Sequence, residues 1–237
     1  MPVELCRAVP KRRLEFLAGR WCAEAAVRRL GPGLLKGPIP IGADRAPEWP
    51  AGVVGAITHT QGFAAAAVAR AADAAGVGLD SEPVVSASAM DAVGAHVATG
   101  DEMRELARAG LGEAVALTVL FSAKESVFKC LYRLVGRFFD FHDVAIVDVD
   151  EGALTFAAEL RTALGGFVAG TKLLGRFAVV DGFVHTGITL PPFERAHRAA
   201  RDGATHEEAS QPSVRRSNAL RASKDSERGA DHQRRQE

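Results

Sequence analysis

The chain has 237 residues, 47% of them apolar and 24% charged, and its 29 basic and 29 acidic side chains cancel to a net charge of zero. That length is enough to bury a core as one large domain or two small ones. The neutral balance removes any global electrostatic case for nucleic acid or a membrane surface. No uninterrupted apolar run approaches the ~20 residues of a spanning helix, and residues 1–10 lack the charged-then-apolar pattern of a signal segment. Cys6, Cys22 and Cys130 are odd in number and widely spaced, so they suit neither a disulfide framework nor a zinc site. The expected compartment is a reducing cytoplasm.

In chain order, residues 10–30 read as a helix whose Leu14, Leu17, Trp21, Ala25 and Arg28 trace one side, stopped by Gly31-Pro32-Gly33. Four prolines make residues 37–52 a loop. Short strands are expected at 53–58, 63–71 and 76–80, the first two joined by a turn at His59-Thr60-Gln61-Gly62. Helices follow at 87–97, 101–109 and 112–135. Strand character returns at 144–149, 153–160, 176–180 and 183–189, with Asp181-Gly182 as a hairpin signal. Helix, strands, helices, strands is an α+β order rather than an alternating one. Each half supplies a helix and about three strands, although no sequence repeat proves a duplication. Beyond residue 193 the chain is too poor in aliphatic side chains to offset its ordering entropy, so 194–237 is expected to be a disordered tail.

Chemistry concentrates in two short pieces, Gly78-Leu79-Asp80-Ser81-Glu82 and Phe121-Ser122-Ala123-Lys124-Glu125-Ser126-Val127-Phe128-Lys129. On a strand, Asp80 and Glu82 leave the same face; on a helix, Glu125 and Lys129 share one side. If Glu125 packs near the strand pair, three carboxylates converge. At ~4 Å and an effective dielectric near 20, two such charges repel by roughly 4 kcal/mol. A divalent cation removes that repulsion, and three oxygen ligands with open positions suit Mg²⁺ bound together with a phosphate substrate. Mn²⁺ accepts the same ligands.

These two motifs resemble the signatures of 4′-phosphopantetheinyl transferases of the surfactin and enterobactin type. Ala46-Pro47-Glu48-Trp49-Pro50-Ala51-Gly52, Gly55-Ala56-Ile57-Thr58-His59-Thr60 and the run from Arg12-Arg13-Leu14-Glu15-Phe16 to Arg20-Trp21-Cys22-Ala23 look like the enterobactin-type branch. The resemblance spans roughly residues 10–190. It implies a pseudo-twofold monomer of two similar α/β halves, here 1–110 and 111–193, with the active site between them. The implied reaction moves 4′-phosphopantetheine from coenzyme A to a serine of an apo acyl or peptidyl carrier protein and releases 3′,5′-ADP.

Carried over residue by residue, the resemblance makes Asp80, Glu82 and Glu125 the metal ligands. Glu125 is also the candidate general base for the carrier serine, directly or through a water. Lys129 is implied to be catalytic, meeting the coenzyme A phosphates and stabilising the departing group, and Lys124, on the helix rim, is implied as a further coenzyme A contact. His59, Arg12 and Arg20 are implied phosphate contacts, the arginines for the 3′-phosphate whose oxygens match a planar guanidinium. Arg45 approaches the adenine side. Three positions depart from the family pattern: Ser81 between the two acids, Phe121 where tryptophan is common, and Thr60 after the histidine. None removes a ligand.

The expected function is a Mg²⁺-dependent transferase acting on carrier domains of peptide, polyketide or siderophore synthases. Its alternatives are a non-catalytic coenzyme A or carrier-binding module on the same scaffold, and a different Mg²⁺-dependent phosphohydrolase. Residues 84–115, with mixed charges Asp91, Asp101, Glu102, Arg104, Glu105 and Arg108, are the natural carrier-facing segment.

Overall fold

A computed structural model describes residues 9–192. The N-terminal eight residues and everything from residue 193 onward, including the expected tail 194–237, lie outside the described residues. A long first helix, α1 (Pro10–Leu30), is followed after an irregular loop by β1 (Val53–Thr60), β2 (Phe63–Arg70) and β3 (Gly76–Pro83). Then come α2 (Met90–Val97), α3 (Gly100–Arg108) and α4 (Glu113–Val135), a 3-10 turn (Phe141–Asp143), and strands β4 (Val144–Asp150), β5 (Thr155–Leu160), β6 (Lys172–Val180) and β7 (Phe183–Leu190). This is the α+β class expected from the element order.

Two antiparallel sheets result. One is the β1–β2 hairpin; the other has five strands in the order β3-β7-β6-β5-β4. β3 follows the hairpin in sequence but pairs with the last strand, Asp80 opposite Thr186 and Glu82 opposite Val184. β1 nonetheless lies against β3. Each sheet has its own apolar core. Ala23, Val27, Ile39, Trp49 and Val53 fill one between α1 and the hairpin, while Leu120, Val127, Ile146, Phe156 and Ile188 belong to the larger one beneath α4.

Two local rules fix the geometry that matters. At Asp181-Gly182 both residues have positive φ, 50° and 76°, as a two-residue hairpin turn requires. At Gly76 and Gly78, α4 comes so close that a Cβ would meet Cys130 O at 2.6 Å and Ser126 O at 1.9 Å. Only glycine lets the helix lie this near the strand that carries the acids. α4 ends at Gly136, left-handed at φ 70°, whose N–H closes on Tyr132 O.

Several expectations need correction. The stripe Leu14, Leu17, Trp21 does not face the core: these side chains are 70%, 50% and 70% exposed. α1 buries the opposite side, through Gly19, Ala23 and Val27. Close approach explains the inversion, because a Cβ on Gly19 would lie 2.8 Å from Ile57 Cγ2; small residues face the hairpin and large ones stay outside. β1 runs on to Thr60, so His59 is a ladder residue opposite Ala64 rather than part of a turn. β3 continues to Pro83, and β6 begins at Lys172 rather than 176. In β6, Leu173 is buried and Leu174 is exposed beside Gly175, and that pairing of leucines hides the alternation. No single described helix is long and apolar enough to cross a membrane.

Candidate active site

The site is built where β1, β3 and α4 meet. Asp80, in the middle of β3, is 2% exposed. Its Oδ1 accepts from Lys129 Nζ at 2.6 Å and from Thr58 Oγ1 at 3.2 Å, while its Oδ2 is buried without a partner. Thr58 Oγ1 also accepts the Ser81 N–H at 3.0 Å. One hydroxyl therefore joins β1 to β3 and sets the rotation of the Asp80 carboxylate. On the other face of β3, as alternation required, the Ser81 hydroxyl meets His185 Nδ1 at 2.9 Å, beside the Phe63 ring.

α4 is pinned to the sheet by polar side chains that the sequence reading did not single out. Ser126 Oγ and Thr186 Oγ1 are 2.7 Å apart, Ser122 Oγ and Thr186 Oγ1 2.9 Å, and Thr186 Oγ1 donates to Ser122 O at 2.8 Å. Thr186 is the register partner of Asp80. The acids and the helix pins thus occupy the same pair of strands. The only sequence signal for the pins was that Ser122 and Ser126, four apart, interrupt an apolar helix.

Electrostatics couple the signature residues to one another. Burial pushes the Glu82 carboxyl up to about 7, with Asp80 and Glu125 adding to the rise, and Lys129 and the Thr60 hydroxyl opposing it. Burial raises Glu125 as well, opposed by Lys129 and reinforced by Asp80. His59 is lowered by burial and then by the Arg12 and Lys129 charges. Asp80, Glu82, Glu125, Lys129, His59 and Arg12 therefore share one region, drawn from α1, β1, β3 and α4.

The remaining candidates sit elsewhere or act differently. Arg20 stacks over Phe16 at 5.2 Å, and its Nη1 donates to Ile39 O and Pro40 O, so it holds the loop after α1. Arg45 is exposed in a turn with φ 69°, and its guanidinium has no hydrogen-bond or ion-pair partner among the described residues. Lys124 is not on the helix rim. It is 1% exposed, with Nζ 2.8 Å from Glu102 and donating to Val97 O at 2.7 Å. Its partner Glu102, expected among the surface charges, is only 3% exposed. The exposed Arg104 and Arg108 pair with Asp101 and Glu105 of their own helix. The Thr99-x-x-Glu102 spacing is a capping-box signature that announced part of Glu102's role.

Among the described residues no three His, Cys, Asp or Glu side chains stand close enough, as placed, to hold a metal ion; Lys129 neutralises Asp80 instead. The donor set still fits an oxygen-preferring dication. Asp80 offers a buried oxygen with no partner, and burial, reinforced by the acidic neighbours, pushes the Glu82 carboxyl up to about 7. Both conditions are relieved by a cation in their midst.

Two family models cover most of the chain: the 4′-phosphopantetheinyl transferase N-terminal domain over residues 2–69 and the 4′-phosphopantetheinyl transferase superfamily over residues 76–178. The chain belongs to the 4′-phosphopantetheinyl transferase superfamily. It is 47% identical over 191 residues to 4′-phosphopantetheinyl transferase Svp of Streptomyces mobaraensis, covering 78% of this chain and 75% of that one. Over 202 residues it is 34% identical to 4′-phosphopantetheinyl transferase Npt of Nocardia iowensis, covering 78% and 85%. Enterobactin synthase component D of Shigella flexneri shares 40% over 126 residues, covering 53% and 58%. The family consists of transferases that act on carrier proteins with coenzyme A as donor, and the chain is an enzyme of that kind.

Proposed function

We propose that this phosphopantetheinyl transferase moves 4′-phosphopantetheine from coenzyme A to a serine hydroxyl of an apo acyl or peptidyl carrier domain, in a Mg²⁺-dependent reaction that releases 3′,5′-ADP. The observation that carries the reading is the buried, unpartnered Asp80 Oδ2 among two further acids and Lys129. Asp80, Glu82 and Glu125 would hold Mg²⁺, or Mn²⁺ in its place, and the ion would supply charge neutralisation for the coenzyme A diphosphate.

The chain's own residues account for the rest. Glu125 accepts the proton of the carrier serine, through an oxygen not bound to the cation or through a water, as the serine oxygen attacks the β-phosphorus. The new P–O bond forms while the bond to the 3′,5′-ADP phosphate breaks, and the electron pair departs on that phosphate. Lys129 donates to the phosphate oxygens where this charge gathers. His59 is kept neutral and offers an imidazole N–H to a phosphate oxygen. Arg12, beside it, suits the 3′-phosphate. Arg20 shapes the adjoining loop, and Arg45 lies toward the adenine side.

On this reading the site lies between the halves 1–110 and 111–193 of a cytoplasmic monomer that needs neither nucleic acid nor membrane. Its carriers belong to peptide, polyketide or siderophore synthases. The test is to incubate the protein with coenzyme A, Mg²⁺ and apo carriers and to weigh the carrier. The expected result is a gain of one phosphopantetheine, lost when the carrier serine is replaced by alanine. Coenzyme A binding with no mass gain on any carrier would instead mark a binding module. Phosphate release from nucleotides without a carrier would mark a phosphohydrolase.

A further inference from the structure

Next to Glu125 in sequence, but far from it in direction, lies an ion pair sealed from solvent. Lys124 and Glu102 are 1% and 3% exposed, and Lys124 Nζ lies 2.8 Å from Glu102 Oε1. Both side chains are bonded further. Lys124 also donates to Val97 O at 2.7 Å. Glu102 Oε1 accepts the Ile146 N–H at 3.0 Å, and its Oε2 accepts both the N–H and the hydroxyl of Thr99 at 2.9 Å. The end of α2, the start of α3, strand β4 and one turn of α4 therefore meet at two side chains.

Geometry around the α4 axis gives this knot its consequence. Ser122 and Ser126 face the sheet and bond to Thr186. At ~100° per residue, Lys124 projects about 160–200° from these two pins, and Glu125 about 60–100° from them on the opposite flank to the Lys124 step. The serine pins hold α4 by polar contacts on its sheet side only. A second anchor on the far side, one residue before Glu125, opposes roll of the helix about that line of contact. We propose that Glu102 and Lys124 are positioning residues that fix the rotation of α4, and so hold Glu125 and Lys129 against β3. This assignment deepens the transferase reading and rests on it.

Lys124→Met is the informative variant, because it removes the buried cation while Glu102 keeps its three donors from Thr99 and Ile146. Carrier modification would be measured as kcat per folded molecule at 20 °C, with folded fraction from near-UV circular dichroism, together with Tm and the Kd for coenzyme A by calorimetry. A positioning role predicts a drop in kcat of at least tenfold and a weakening of coenzyme A of threefold or more in fully folded protein, with Lys124→Arg recovering to within threefold of the parent. If Lys124→Met lowers Tm but leaves kcat and Kd within twofold of the parent, the pair serves stability alone and the inference is wrong. Should that variant not fold, Lys124→Gln keeps a donor while removing the charge, and the same thresholds decide. The unmodified protein separates the two readings: no carrier modification by the parent overturns the transferase proposal itself, whereas an active parent with equally active variants overturns only the positioning role.

Discussion

Glu82 shows how one carboxylate can report on the site. Its folded pKa is pushed up to about 7 from an ordinary 4.5, with burial as the largest cause. Between those two values the folded chain binds more protons than the unfolded chain, so this group lowers stability as pH rises from about 4.5 to 7. In chelator, Tm should fall over that window, and Glu82→Gln should flatten the fall; parallel Tm–pH curves for parent and variant would contradict the account. Lys129 poses the converse test. Removing it as Lys129→Met leaves Asp80, inside the protein, with only Thr58 as a donor. Unfolding in urea should show a loss of roughly 1–3 kcal/mol, and an unchanged midpoint would mean the 2.6 Å pair contributes nothing. At the same scale, burial raises the Cys130 thiol to about 12, which should leave it unreactive toward alkylating reagents at pH 8 until the protein unfolds.

At the level of elements, α4 and β3 depend on glycine. Gly78→Ala would place a methyl 1.9 Å from Ser126 O, a main-chain atom that cannot swing aside. Overpacking of this kind costs about 1–3 kcal/mol or more; Tm should drop by several degrees and carrier modification should fall with it. Normal activity would show that α4 has room to move. The orientation of α1 can be read by fluorescence, since Trp21 is 70% exposed and Trp49 only 7%. Trp21→Phe should leave blue-shifted emission poorly quenched by acrylamide, and Trp49→Phe should leave the reverse. The sequence made α1 legible as a helix but not its buried face, because hydropathy favours large apolar side chains whereas the contact is made by Gly19, Ala23 and Val27. The same limit hid Ser122, Ser126 and Thr186, whose value lies in a partner 60 or more residues away. By contrast, period-two alternation placed Asp80 and Glu82 on one face, and the four-residue helical step placed Glu125 with Lys129. Lys124 was misread because a charged side chain on a helix suggests solvent, and nothing local revealed the buried Glu102 waiting for it.

For the molecule as a whole, the acids come from a strand that pairs with the last strand, while the helix above them comes from the middle of the chain. That topology brings residues 80, 82, 125 and 129 together from two separate stretches and sets them beside Arg12 and His59 of the α1–hairpin layer. The central claim is that Asp80, Glu82 and Glu125 share a divalent cation with the diphosphate of coenzyme A. Calorimetric titration of Mg²⁺ into metal-free protein saturated with coenzyme A tests it most directly. The parent should take up Mg²⁺ with proton release near pH 6.5, while Asp80→Ala and Glu125→Gln should weaken uptake at least tenfold. Mg²⁺ binding of equal strength in parent and both variants would contradict it.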